Sequence, residues 1–177
     1  LIVAADQDPV GLDPHITPAA SSVRIYSLIY ERLVSMDSEM NLVPGLAEKW
    51  EVSEDGKTIT FNLRKDVKFH NGRELTSEDV KYSFERILNP DTGSTVASYF
   101  ASVNAIETPD ESTVVFKLNT PDAAFLTNTT ASSASIVPKE VEDLVTEAVG
   151  TGPFMLEEMK SGQYVTLKKN PDYTHKD

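Results

Sequence analysis

The stretch "EVSEDGKTITFNLRKDVKFHNGRELTSEDVKYSFERI", residues 51–87, decides how this chain is read. Ile59, Phe61 and Leu63 alternate with Thr58, Thr60 and Asn62. That period of two belongs to a strand with one buried face, and Asp55-Gly56 supplies a hairpin turn before it. Further on, Thr76 with Asp79 three residues later has the layout of a capping box, an acid standing where Glu or Gln is usual. Leu75 and Val80 are placed as its hydrophobic staple. Val80, Phe84, Ile87 and Leu88 then recur at helical spacing, so a helix is predicted over 76–89, closed by "NPDTG".

The same stretch contains a histidine, His70, among Glu74, Glu78 and Asp79, which raises the question of a metal or catalytic site. A histidine metal site needs further ligands converging on one point. His15 and His175 lie far away in sequence, and neither makes a ligand-spaced pair with His70. The acids sit before or in the first turn of the predicted helix, where its dipole favours negative charge. Asn71-Gly72 supplies a tight turn. The stretch therefore reads as punctuation between a strand and a helix.

Outward from it, "TPDESTVVFKLN" (108–119) places Asp110, Val114, Phe116 and Leu118 where the first hairpin has Asp55, Ile59, Phe61 and Leu63. "KSGQYVTLKKN" (160–170) offers Gly162, Val165 and Leu167 in matching places. Either the chain contains an internal duplication, or amphipathic hairpins of a half-solvated antiparallel sheet share a pattern. Toward the N-terminus, LIVAA (1–5) reads as a short buried strand stopped by "DQDPVGLDP". Ile25, Leu28, Ile29 and Leu33 predict a helix over 21–33 with Ser21 or Ser22 as N-cap. "DSEMNLVPGLAEKW" reads as a loop, residues 139–148 as a weaker helix after Pro138, and Gly150 to Pro153 as the lead into the last hairpin. Mixed helices and mostly antiparallel strands make the fold class α+β.

Composition narrows the function. The 177 residues carry a net charge of −12, which argues against nucleic acid or an anionic membrane as main partner. With no cysteine there is no disulfide, thiolate metal site or cysteine nucleophile. No apolar run approaches a membrane span. "LIVAADQDP" has no basic n-region or long apolar h-region, so a signal peptide is not read in it, although one removed earlier is compatible with it. No G-x-S-x-G or S-x-x-K occurs, and "ASSAS" (131–135) has no recognisable base beside it. "GTGPF" (150–154) is no phosphate cradle, because Pro153 lacks an N–H and a strand-like segment follows. Asn128-Thr129-Thr130 fits a glycosylation sequon by pattern alone. Trp50, Phe61, Phe69, Tyr82 and Phe84 fall at core spacings. No catalytic apparatus is visible, and a binding role follows by default.

The segment "LVPGLAEKWEVSEDGKTITFNLRKDVKFHNGRELTSEDVKYSFERI" (42–87) closely resembles the family 5, peptide/nickel-type, extracytoplasmic solute-binding proteins of ABC importers. The family pattern runs from "LA-x-W" through "DG-x-T-x-TF-x-LR" and "V-x-F-x-(D/N)G" to "T-x-(E/D)DV-x-(Y/F)S-x-(E/Q)R". Leu46, Ala47, Trp50, Asp55, Gly56, Thr58, Thr60, Phe61, Leu63, Arg64, Val67, Phe69, Gly72, Thr76, Asp79, Val80, Ser83 and Arg86 fall in register with it. "GLDPH" (11–15), "IYERL" (29–33), "SIVPKE" (135–140), "GTGPF" and "LKKNPDY" (167–173) follow in family order.

The resemblance implies a periplasmic-binding-protein-like fold (type II, cluster C), of which this chain would be the N-terminal lobe part. Residues 1–31 and 136–177 would belong to lobe I, residues 32–135 to a side subdomain, and the second, ligand-closing lobe would be absent. A truncated piece is the expectation, and such a piece alone is expected to hold solute weakly. The implied function is capture without catalysis: a peptide or other small solute is bound outside the cytoplasmic membrane and delivered to an ABC permease. A nickel complex, an oligosaccharide or an opine is the alternative solute, and a metal-dependent hydrolase using His15 and His70 the alternative class. No cofactor, metal or nucleic acid is implied, and membrane attachment only through the permease or a removed lipid anchor. The location would be the periplasm or, as a lipoprotein, the cell surface. The family's cleft-lining segments map to Thr17, Pro18, Ala19, Ala20 and Ser21, to the loop from Ser132 to Ser135 (Ser132 and Ser133 foremost), and to Thr151 and Gly152.

Overall fold

The computed structural model describes residues 6–174; the expected strand at 1–5 and His175 lie outside the described residues. The helices are α1 (Ala20–Ile29), α2 (Ser77–Leu88) and the single turn α3 (Phe125–Asn128). The strands are β1 (Val34–Met36), β2 (Leu42–Pro44), β3 (Ala47–Val52), β4 (Thr58–Leu63), β5 (Val103–Asp110), β6 (Thr113–Leu118), β7 (Phe154–Lys160) and β8 (Tyr164–Lys169). β3, β4, β6 and β5 form one antiparallel sheet in that order, while β1–β2 and β7–β8 are separate antiparallel pairs.

The period-two stretch is β4, and the stretch that looks like it is β6, its neighbour in the sheet. Ile59 stands opposite Phe116 and Phe61 opposite Val114. Both strands bury every second residue. Two interior strands that cover the same face need the same alternation, which accounts for their likeness without common descent. α2 lies on that face with Val80, Phe84 and Ile87 fully buried. Phe84 meets Phe116 edge-to-face at 4.8 Å and Phe100 at 5.0 Å. Such ring pairs contribute about 0.5–1.5 kcal/mol each beyond their buried area.

The start of α2 follows its sequence signature. The Asp79 carboxylate accepts the Thr76 N–H and hydroxyl, both at 3.0 Å. Asp79 is fully buried and needs a counter-charge, which Arg73 supplies through Nη1 at 2.9 Å and Nη2 at 2.6 Å. Arg73 also grips Glu140 through Nε at 2.7 Å and Nη2 at 2.8 Å. The bond to Asp79, ahead of that to Glu140, raises the Arg73 pKa, and the bond from Arg73 holds Glu140 below the usual carboxylate range.

Buried apolar residues fall into two clusters. The larger runs from Leu33 to Ile136 and fills the space between α2 and the four-stranded sheet. The smaller joins Leu12, Tyr26, Ile29 and Tyr30 to Val137, Val141, Leu144 and Ala148, with Leu156, Met159 and Leu167 against it.

Five expectations are corrected. Helix α1 starts at Ala20 with Ala19 as its N-cap and no capping side chain; the Ser22 hydroxyl instead accepts the Val10 N–H at 3.1 Å. It ends at Ile29 because Tyr30 is extended, which moves Leu33 into the larger core. Its buried face holds Tyr26 and Ile29, and Leu28 is 40% exposed. Residues 37–50 are not one loop: Asp37 accepts the N–H groups of Glu39 and Asn41 to close the β1–β2 hairpin, and β3 follows. Residues 139–148 form turns rather than a helix, because Asp143 accepts the N–H groups of Val145 and Thr146 and the Thr146 hydroxyl. Such local side-chain bonds compete with the helical ladder.

The smaller core is closed by contact between two backbones. Gly152 N–H donates to the Ile29 carbonyl at 2.8 Å, satisfying one orphan group at the end of α1. A Cβ on Gly150 would stand 2.0 Å from the Ile29 oxygen, and one on Gly152 2.7 Å from it. From the other side, His70 N–H donates to the Gly150 carbonyl (2.8 Å), Gly150 N–H donates to His70 Nδ1 (3.3 Å), and His70 Nε2–H donates to the Gly152 carbonyl (3.0 Å). His70 thus crosses from the hairpin side to the "GTG" turn.

His15 makes a second crossing. Its Nε2–H donates to the Ser135 carbonyl at 2.9 Å, and its Nδ1 accepts from Arg86 Nη1 at 2.7 Å. Arg86 of α2 also pairs with both oxygens of the buried Asp13. Burial, then the adjacent Arg86 charge, lowers the His15 pKa to about 4, against the bond to Ser135 and the Asp13 charge, which raise it. Burial likewise lowers that of His70.

Two outcomes are expected. Gly150→Ala loses about 3 kcal/mol or more in urea unfolding, the upper range for forced overpacking. Gly72→Ala, where φ is +86° and the space is open, loses only about 1–2 kcal/mol. Equal losses would refute the close-approach account. Because burial lowers the pKa of both His15 and His70, each binds more protons in the unfolded chain than in the folded one. Their stabilisation is complete above the unfolded pKa of about 6.5 and is lost as pH falls; for His15 the loss continues to about 4. Between pH 6.5 and 5 His15 contributes a slope of up to about 1.4 kcal/mol per pH unit. Unfolding titrations of His15→Gln should show a shallower slope there, and an unchanged slope would contradict the assignment.

Candidate functional site

α1 is the element to which the expected cleft residues attach. Ten residues give it a length of about 15 Å. Thr17, Pro18 and Ala19 lead into it and Ala20 and Ser21 form its first turn. Pro18 and Ala20 are exposed, Ala19 is half-buried, and Thr17 and Ser21 are buried. This entry segment is held from behind by the His15 network, and the His15 carbonyl accepts the Thr95 N–H at 3.1 Å.

Ser132 and Ser133 lie in a short 3-10 turn (Ser132–Ala134) against the flank of α1. Ser133 Oγ is 3.4 Å from the Tyr26 hydroxyl. Ser132 Oγ accepts from Ser27 Oγ and from Arg32 Nη1, each at 3.4 Å. These are long for hydroxyl hydrogen bonds, whose usual length is about 2.7–2.8 Å. Burial raises the Tyr26 pKa, and burial lowers that of Arg32 against the opposing effect of Glu31. The Arg32 Nε–H is buried without a hydrogen-bond partner.

Thr151 and Gly152 occupy the opposite end of α1 and are both buried. The Thr151 hydroxyl donates to Glu31 Oε2 at 2.8 Å. The Gly152 carbonyl accepts from His70 and, at 3.0 Å, from Asn170 Nδ2. Their polar groups are therefore committed to internal bonds. The structure brings Ser132 and Ser133 against Tyr26 and Ser27 of α1 and Arg32 just beyond it, while Thr151 and Gly152 bond to Glu31 and Ile29 at the same end of the helix.

Tyr26, Ser27 and Arg32 were not legible as site residues. In "RIYSLIYERL" a tyrosine, a serine and an arginine look like any amphipathic helix and its end. Only the docking of a turn 100 or more residues later gives them neighbours.

Among the described residues no three His, Asp or Glu side chains are grouped to hold a metal ion. The rings of His15 and His70, which the hydrolase alternative requires, each have both nitrogens engaged by protein partners. No helix among the described residues is long and apolar enough to cross a membrane. What the α1 flank offers is hydroxyls, one guanidinium and backbone, which is binding chemistry.

Comparison with known proteins agrees. The family model described as "Bacterial extracellular solute-binding proteins, family 5 Middle" matches residues 41–177. The dipeptide-binding protein of Escherichia coli K12 is 34% identical over 98% of this chain and 38% of its own length. Among solved structures, AgaA of A. tumefaciens R10 in complex with agropinic acid superposes with a TM-score of 0.89 at 38% identity, over 95% of this chain and 35% of that one. Haemophilus influenzae OppA in complex with the peptide RPPGFSPFR gives 0.86 at 29% identity, over 94% of this chain and 37% of that one. The chain spans less than two-fifths of the length of each of these relatives. With its α+β fold and its motifs in register, the chain belongs to the family 5 bacterial extracellular solute-binding proteins.

Proposed function

We propose that this protein is the solute-capturing component of an ABC importer, taking di- or oligopeptides outside the cytoplasmic membrane and passing them to a permease. The observation that carries the peptide reading is the 34% identity, over 98% of the chain, to a dipeptide-binding protein. An opine is the second reading, favoured by the 0.89 superposition on a protein holding agropinic acid.

In this reading residues 1–31 and 136–177 belong to one lobe and 32–135 to a side subdomain. The two buried clusters support that division, since the larger draws its residues from 33–136 and the smaller from 12–30 and 137–148. Solute lies against the α1 entry segment and its flank, between this lobe and a second one. Thr17 to Ser21 offer mainly backbone, Ser132 and Ser133 offer hydroxyls, and Thr151 and Gly152 frame the far end. Closure of the lobes buries the solute, and no bond is made or broken.

Thermal-shift and calorimetric titration of the full-length protein test this. A peptide present at about 100 times its Kd should add about 2.7 kcal/mol of stability. Ala20→Trp, at an exposed position, is expected to leave the unfolding midpoint within about 0.5 kcal/mol while weakening solute binding at least about tenfold by occupying the cleft. Binding unaffected by this substitution would remove α1 from the cleft. Agropinic acid binding with no response to peptides would replace the peptide reading by the opine one.

A further inference from the structure

Five arginines occur in the chain, and four have strong partners or solvent. Arg73 holds two carboxylates and Arg86 holds Asp13 and His15. Arg64 donates Nε to the Gly45 carbonyl at 2.7 Å, and Arg24 is mostly exposed beside Asp6. Arg32 differs. It is half-buried and its Nε–H has no partner. Its Nη1 approaches Ser132 Oγ at 3.4 Å, and among the described residues no carboxylate lies within ion-pair distance of it. The neighbouring Glu31 faces Thr151 and Tyr173.

The Glu31 charge offsets the burial of Arg32 only from beyond ion-pair distance; a guanidinium withdrawn from water without an anion in contact is costly, and an arriving carboxylate offsets that cost with two parallel N–H···O bonds. The hydroxyls around it are also under-used. Ser27, Ser132, Ser133 and Tyr26 meet only at 3.4 Å, so each can turn its proton to a better acceptor at little loss. Ser27, Arg32, Ser132 and Ser133 are half-buried, so the group is reached from their side, with the Tyr26 ring buried behind them.

We propose that Arg32, with Ser132, Ser133, Ser27 and Tyr26, forms a subsite for a carboxylate of the solute. The preferred solute is then acidic, carrying a carboxylate that this lobe reads by itself. This holds despite the −12 net charge of the chain, because pairing at contact distance in a half-buried site outweighs a screened surface field. The proposal rests on the capture reading above, and its test separates the two.

The full-length protein is titrated calorimetrically with Ala-Glu against Ala-Gln, and with agropinic acid. Wild type should bind the acid about tenfold to a hundredfold more tightly than the amide, the range for a hydrogen bond to a charged group. Arg32→Gln should abolish that preference, and Arg32→Lys should keep part of it. In parallel, succinate is titrated while the Arg32 Nε–H resonance is followed by NMR, with folding of each variant checked by its amide spectrum. A saturable shift in wild type supports the subsite. Equal affinity for acid and amide, a preference that survives in Arg32→Gln, or an unmoved Nε–H resonance overturns it. If no peptide or opine binds at all, the capture reading fails, and the succinate titration still decides whether Arg32 receives an anion.

Discussion

The close approach of Gly150-Thr151-Gly152 to the last turn of α1 is the constraint on which the rest of the structure depends. At that point two backbones touch with no side chain between them, and the Ile29 carbonyl receives the Gly152 N–H. The contact caps the end of α1, where Tyr30 turns extended toward the larger core, and immediately precedes β7. Because protein interiors are close-packed, a gap of even one methyl group there would separate the helix from the turn. The turn in "GTGPF" therefore completes a helix terminus from a distance. It does not cradle an anion.

Three crossings reinforce that contact, and all leave from residues 70–86. His70 reaches Gly150 and Gly152, Arg73 ties Asp79 to Glu140, and Arg86 joins Asp13 and His15. Each connects an element around the larger core to a segment around the smaller one. The pairs that hold the buried Asp79 and Asp13 add little net stability, since desolvation offsets much of the attraction, but breaking one leaves an uncompensated charge. They make one arrangement of the two cores far better than its alternatives. The stretch that first looked like a site is the frame behind the site.

Arg32 stands out against this background. Elsewhere the fold satisfies its partly buried guanidinium groups with carboxylates or carbonyls at 2.5–3.1 Å; here it leaves one with a 3.4 Å hydroxyl. Among the described residues two buried side-chain atoms lack a hydrogen-bond partner, the Tyr30 hydroxyl and Arg32 Nε, and the second belongs to the guanidinium beside Ser132, in the cleft proposed above. An unsatisfied group costs folding energy unless something outside the chain completes it.

The sequence by itself determined the family, the turn before β4, the alternation of β4 and of β6, and the start of α2. These depend on alternation and capping, which act between residues no more than four apart. It misplaced the cap of α1 and the helix expected at 139–148, where Ser22 bonds to Val10 and Asp143 bonds to its own turn. Tertiary structure alone decided the roles of His70, His15 and Arg73, and which residues share the α1 flank. Tyr26 with Ser133, Ser27 with Ser132, and Arg32 with Ser132 are 100 or more positions apart. No local pattern encodes such pairs, because their distances are set by how two cores pack and by the absence of a Cβ at two glycines.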